Sequence, residues 1–332
     1  MAALRRSLPV DSGRAPSGRR RRCGSEGYEQ QCRAAGLLDG PRDVSELAAW
    51  PETLLEKLFG GLACASASAM GRQQRFLELV EHGLIMHTDF SGKQCPEVSL
   101  RMVGVALRKR GINLADEWLV CWRACDIAPE CQRLMLANTR PPEHVFKELL
   151  ARAPMEIQDG VRQCRPTRHM SSEQKEAAYL QMDRYLTLHR SNAFARARLA
   201  PAGACLRHPL HRCPASWVDS DAIEPEVRPV TCMVAGTMCT PRTMLGQRTG
   251  LAHEATEPWL LWVNEQAEVG FDLVTLENSE WFPLHLFTDK MDRSHHVVAC
   301  KIGAEDLVAR RCNYCSNLLS MCPLSAQLAS RF

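Results

Sequence analysis

Two apolar patterns alternate along the middle and the C-terminal part of the chain. Short apolar runs that end in turn residues occur at Leu84 to Phe90, entering Ser91-Gly92, and at Trp118 to Trp122, which leads to Cys125-Asp126. They recur at Val230 to Val234 and at Phe271 to Leu276. Runs of this length bounded by Gly, Pro and acidic residues predict buried strands, near 84–90, 118–125, 230–235 and 271–276. Between them the apolar spacing changes to three and four. Leu100, Val103 and Leu107 share one face of a helix predicted over Val98 to Arg108, and Pro129 opens another that runs through Leu134 and Leu136 to Asn138. A further helix carries Trp259, Leu260, Leu261 and Val263. Strand, helix, strand, helix in this order predicts an α/β fold, Rossmann-like, with a mostly parallel sheet flanked by helices.

The remaining segments divide the chain. Residues 1–44 hold Arg5, Arg6, Arg14 and the run Arg19 to Arg22 among Ser, Gly and Pro, which predicts a disordered basic tail. Residues 45–150 form a first half, with helical spacing before the first strand. Residues 151–228 read as an irregular, partly helical insertion punctuated by Pro201, Pro209 and Pro214. One clear helix stands in it, opened by the capping box Ser171-Ser172-Glu173-Gln174. Residues 229–332 form the second half, with a looser C-terminal block.

Composition adds little to this outline. The net charge is +3 over 332 residues, too balanced for a strong nucleic-acid footprint outside the basic tail. No stretch reaches the ~20 apolar residues of a membrane span. The N-terminus lacks the apolar core of a secretory signal, so a nuclear or other intracellular location is expected. In that setting the 16 cysteines read as thiols or metal ligands, not as a disulfide framework.

The candidate chemistry lies after the third strand. Val230 to Val234 delivers Cys239 into a loop rich in Gly, Thr and Pro, the usual way to expose a thiol on a fixed backbone. The fourth strand ends in Glu277-Asn278. A nucleophilic sulfur and a carboxylic acid at two strand ends are the groups needed to add a thiol across an electron-poor ring while protonating it.

Ala235-Gly236-x-x-Cys239, then Gly246-Gln247-Arg248-x-Gly250, then Glu277-Asn278 resembles the catalytic half of the DNA cytosine-5 methyltransferases. The family has Pro before its cysteine where this chain has Met238, and Gln after it where this chain has Thr240. The first half resembles the same family through Phe90-Ser91-Gly92, with Lys93-Gln94-Cys95 in place of the remaining glycines. Asp126-Ile127 stands where an acid holds the ribose of S-adenosylmethionine, Asn138 where the family ends its next helix in Asn, and Glu148 where a third cofactor segment has Asp. The resemblance covers about 85–150 and 229–280. It implies S-adenosyl-L-methionine as cofactor, bound by Phe90, Ser91, Gly92, Asp126, Ile127 and Glu148. Cys239 is then the nucleophile and Glu277 the acid at the ring, Asn278 fixes the loop that carries Glu277, and Arg311, in the nearest match to a Gln-x-Arg-x-Arg segment, meets the target. DNA, or RNA, is the implied partner. The chain after Tyr314 is short for a target-recognition region, so a second chain supplying it, a fragment, or lost specificity or activity are open alternatives.

Two other classes compete. A catalytically inactive methyltransferase fold acting as a binding protein accommodates Met238 and the eroded glycine turn. A zinc-binding nucleic-acid module would draw on Cys205, His208, His211 and Cys213, or on the Cys312/Cys315 pair. Zinc fingers usually separate two ligand pairs by a dozen or more residues, so the first cluster is too compact for that module, and no metal ligand is assigned from the sequence.

Overall fold

The computed structural model describes residues 81–115, 117–218, 228–237, 250–279, 282–291, 294–303 and 315–323, with isolated helical residues between 45 and 80. The basic tail, Cys239 and Arg311 lie outside the described residues.

The first unit is β1 (Leu84–Asp89), α1 (Cys95–Lys109), β2 (Leu119–Cys125), α2 (Pro129–Ala137) and β3 (His144–Phe146). Then come α3 (Met155–Cys164), α4 (Ser172–Leu188) and α5 (Arg190–Phe194), followed by the two-residue strands β4 (Leu199–Ala200) and β5 (Cys213–Pro214). The chain re-enters the large sheet with β6 (Val230–Gly236), crosses through α6 (Thr256–Val269) to β7 (Leu273–Ser279), and continues with α7 (His285–Met291), β8 (His295–Gly303) and β9 (Cys315–Pro323).

The sheet order is β3-β2-β1-β6-β7-β9-β8. The first five strands are parallel, and β9 runs antiparallel to both β7 and β8. This is a Rossmann-like α/β sheet whose first five places follow the doubly wound order, with a reversed strand inserted before the edge. The C-terminal block expected to be loose therefore contributes two strands. Their pairing partners lie elsewhere in the chain, which local apolar spacing does not report.

Helices cover both faces. Ala124 and Val145 pack with Met135 of α2, whereas their neighbours Cys125 and Phe146 enter the main core with residues of α3 to α6. Consecutive strand residues facing opposite layers is the period-two rule at work. Helix α6 is buried nearly all round, from Trp259 to Gln266, as a central helix must be. The predicted capping box is present. The Ser171 hydroxyl accepts from the Gln174 N–H at 3.3 Å, and the Gln174 side-chain oxygen accepts from the Ser171 N–H at 2.8 Å. Among its described residues, the segment read as an insertion holds three helices instead of one. Ile157 and Val161 of α3 and Phe194 of α5 join the main core, so their order comes from tertiary packing that short segments do not announce.

Gly104 of α1 lies against the Trp118 indole. A Cβ there would stand 2.4 Å from Trp118 Cζ2. Gly104→Ala is therefore expected to destabilise the fold by ~1–3 kcal/mol despite the better helix propensity of Ala, a change readable by urea denaturation. Equal or greater stability would show that Trp118 repacks freely.

Candidate active site at the carboxyl ends of the strands

The register fixes which residues meet. Asp89 pairs with Cys125 and with Ala235, Cys125 pairs with Phe146, and Gly236 pairs with Glu277. Because these strands are parallel, Phe90, Asp126, Lys147-Glu148, Thr237 and Glu277-Asn278 emerge along one edge. That is the edge at which open α/β sheets bind ligands.

The turn after β1 is built with care. Phe90 has φ 56° and Gln94 φ 62°, the only non-glycine residues in the left-handed region among those described. That conformation costs roughly 1–2 kcal/mol per residue, so the surroundings must hold it. Ser91 does much of the holding. Its N–H donates to the Cys125 carbonyl at 3.0 Å, and its hydroxyl accepts from the Cys125 N–H at 3.1 Å. The Ser91 side chain is thus turned inward and positions the turn. Gln94 keeps the left-handed backbone where the resembling family has glycine. It is buried, and its side-chain oxygen accepts from Asn138 Nδ2 at 2.9 Å. Gln94 thus stands in for the glycine, a substitution that the residue type alone does not announce. The only available hint was Asn138, the bond's other partner.

Gly92, at φ 52°, has open space where a side chain would stand. Its N–H donates to Asp126 Oδ2 at 2.8 Å, and Ala128 N–H donates to Oδ1 at 2.9 Å. The carboxylate is thereby oriented by two amides and keeps lone pairs for two further donors. Beside it Ile127 is 73% exposed, an apolar side chain presented to solvent at the strand edge. Glu148 is half-buried two residues after β3, and Gln132 Nε2 ties the ends of β2 and β3 through the carbonyls of Asp126 and Lys147.

Beneath the turn lies a buried ionic cluster. Asp89 accepts from Arg123 at 2.9 Å and from Arg152 at 2.6 Å. Glu265 of α6 accepts from the same two arginines at 3.0 and 2.6 Å, and from Arg198 at 3.4 Å. Burial alone would raise the Asp89 pKa, but Arg123 and Arg152 together hold it below the ordinary carboxylate value. His87, one turn of the pleat earlier, is held well below its usual pKa by burial, with Arg123 adding to the effect.

On the other half of the edge, Asn278 is buried and its Nδ2 donates to Thr237 Oγ1 at 2.6 Å. Asn278 thus ties the end of β7 to the Thr237 side chain, just past the end of β6. Thr237 was not singled out from the sequence, since its role depends on a partner on another strand. Glu277 is exposed toward the open edge, while its Oε2 would lie 3.5 Å from a Cβ at Gly236. Partial desolvation against the strand ends raises its pKa above the ordinary glutamate value. Phe90, Gly92, Asp126, Ile127, Glu148, Glu277 and Asn278 therefore share one edge. The described residues do not include Cys239, which follows Thr237 by two positions, or Arg311.

No family model matches the chain, and no curated protein does. Among solved structures it is similar to a protein from E. coli named as a DNA modification methyltransferase encoded within a prophage, with 9% identity and a TM-score of 0.33. The match covers 74% of this chain and 48% of that one, about half its length. Likeness at this level carries no argument about activity. Among the described residues, no helix is long and apolar enough to cross a membrane.

Proposed function

We propose that the chain is an S-adenosylmethionine-dependent methyltransferase acting on C5 of cytosine in nucleic acid, DNA in preference to RNA. The observation that carries the reading is the strand register, which brings the Phe90–Gly92 turn, Asp126 and Glu277 to one edge although Phe90 and Glu277 lie far apart in sequence.

The first half of that edge suits the cofactor. Asp126 has capacity for the two ribose hydroxyls, Phe90 is assigned to the adenine with exposed Ile127 adding apolar surface beside it, and Gly92 leaves room for close approach of the methionine part. S-adenosylmethionine held there supplies an electrophilic methyl group. The protein's own residues act on the base, which must be flipped out of a duplex to expose C5 and C6. The Cys239 thiolate adds to C6, which makes C5 nucleophilic. Glu277, whose raised pKa favours the protonated acid, donates a hydrogen bond or proton to N3. After C5 takes the methyl group, loss of the C5 proton expels the cysteine. Asn278, through Thr237, steadies the loop that carries the nucleophile. Arg311 is assigned to the target phosphate or base. A second chain supplying target recognition is compatible with this scheme and is not required by it.

Calorimetry should detect S-adenosylmethionine binding, weakened at least about tenfold in Asp126→Ala, because charge-assisted bonds to the ribose are lost. Binding that is indistinguishable in the two proteins removes the cofactor assignment. A duplex carrying 5-fluorocytosine tests the nucleophile separately. A covalent adduct that disappears in Cys239→Ala supports catalysis, whereas cofactor binding without any adduct assigns the chain to the inactive, binding-only class.

A further inference from the structure

We propose that His144, Cys205, His208 and Cys213 form a structural zinc site that fastens the segment between β4 and β5 to the edge strand β3. One ligand atom from each of the four residues lies within 4.8 Å of every other. Cys205, Cys213 and His144 are buried, and both thiols are free.

The spacing within the group is that of a coordination sphere. His208 Nδ1 is 3.6 Å from Cys205 Sγ and 3.6 Å from Cys213 Sγ. A tetrahedral zinc with Zn–S of about 2.3 Å and Zn–N of about 2.0–2.1 Å sets an S···N edge of about 3.6 Å. Hydrogen bonding accounts for the arrangement less well. A neutral ring nitrogen either donates one proton or accepts one bond, so Nδ1 cannot serve both sulfurs. His144 Nδ1 is buried and has no hydrogen-bond partner, and the His144 and His208 rings stand 5.3 Å apart, edge to face. Two thiols, one shared nitrogen and one unsatisfied imidazole, on three buried side chains and one half-buried, are what a divalent cation resolves. On binding, the two thiols release their protons to solvent and the thiolates neutralise the ion.

The backbone is arranged to present these groups. Cys205 forms an antiparallel bridge with Phe146 of β3, and Leu206 N–H donates to the Val145 carbonyl at 2.7 Å. Cys213 sits in β5, where it pairs with Ala200 of β4. Arg207 donates to the Pro142 carbonyl just before β3. The ligand-bearing loop thus covers the open side of an edge strand, a position that proteins protect.

The histidine set differs from the one the sequence offers. Cys205, His208, His211 and Cys213 lie within nine residues, but His211 is exposed and takes no part in the group. His144 replaces it from the far side of three helices. The expectation that this cluster was too compact for zinc considered only ligands from the loop itself.

The test uses the full chain, expressed with zinc in the medium and washed of loosely bound ions. One equivalent of zinc per chain is expected, with X-ray absorption showing two sulfur and two nitrogen neighbours. His144→Ala should reduce the zinc retained to a small fraction of an equivalent, and His211→Ala should keep the full equivalent. If His144→Ala fails to fold, the sulfur-to-nitrogen ratio of the unsubstituted protein and the retention by His211→Ala still decide the matter. No zinc in the parent protein, a four-sulfur shell, loss of zinc in His211→Ala, or a mass two daltons low from a Cys205–Cys213 disulfide would overturn the site.

Discussion

Glu265→Gln is expected to lower the unfolding free energy by ~3–5 kcal/mol, the cost of leaving buried charge uncompensated. Glu265 accepts hydrogen bonds from Arg123, Arg152 and Arg198, and the four side chains are almost wholly inaccessible to solvent. The amide keeps the volume but removes the charge, and it turns an N–H₂ donor toward guanidinium donors. Asp89 then remains to balance three cations. Urea denaturation measures the change. The contrast is Glu257→Gln, which breaks the Arg165 pair at 2.6 Å, where Arg165 is 45% exposed. That substitution should cost within about 1 kcal/mol. Equal losses at the two positions would mean that the buried cluster is not a special support. Burial of His87 beside this cluster, and the pairing of Asp89 within it, make the fold acid-labile. The folded pKa of His87 is lowered, so the unfolded chain binds that proton more readily and stability falls as pH drops below ~6.5. Asp89, also lowered in the folded state, adds a further loss as pH falls through the carboxylate range.

The largest expected effect on activity belongs to Glu277→Gln, a fall of ~10²–10⁴-fold in methyl transfer, the range typical of a general acid. Glu277 lies on the exposed edge, so the thermal midpoint should hardly move. Its raised pKa keeps more of the acid form as pH rises, and activity should decline on the alkaline side when that proton is lost. The amide has no such proton, so this alkaline decline should vanish in the variant. Activity within a few-fold of the parent, or an unchanged pH profile, would remove Glu277 from the chemistry.

Particular elements show what was legible in advance. The four strands at 84–90, 118–125, 230–235 and 271–276 were readable because each is a short apolar run ending in a turn. The fourth was displaced: β7 is Leu273–Ser279, continuing through polar Glu277 and Asn278 because Ser279 pairs with Ser316 of β9. Phe271 attracted the prediction, although its carbonyl meets the ring of His295 instead of a ladder partner. The acids at strand ends could be read from motif order. Arg123, Arg152 and Glu265 could not, since buried charges scattered over the chain leave no periodic trace. His144 escaped for the same reason, being remote from the cysteines it joins.

The central strand pair has a consequence for synthesis of the chain. Leu84 lies beside Val230, and Asp89 beside Ala235. While ribosomes extend the chain through α3, α4 and α5, β1 has only β2 to pair with, and its other side stays bare until β6 emerges. Pairings that close so large a loop form slowly and leave an unpaired edge open to other chains. The segment up to residue 150 should therefore aggregate when produced alone, and it should be rescued by co-production of 229–332 better than by any change in its own surface.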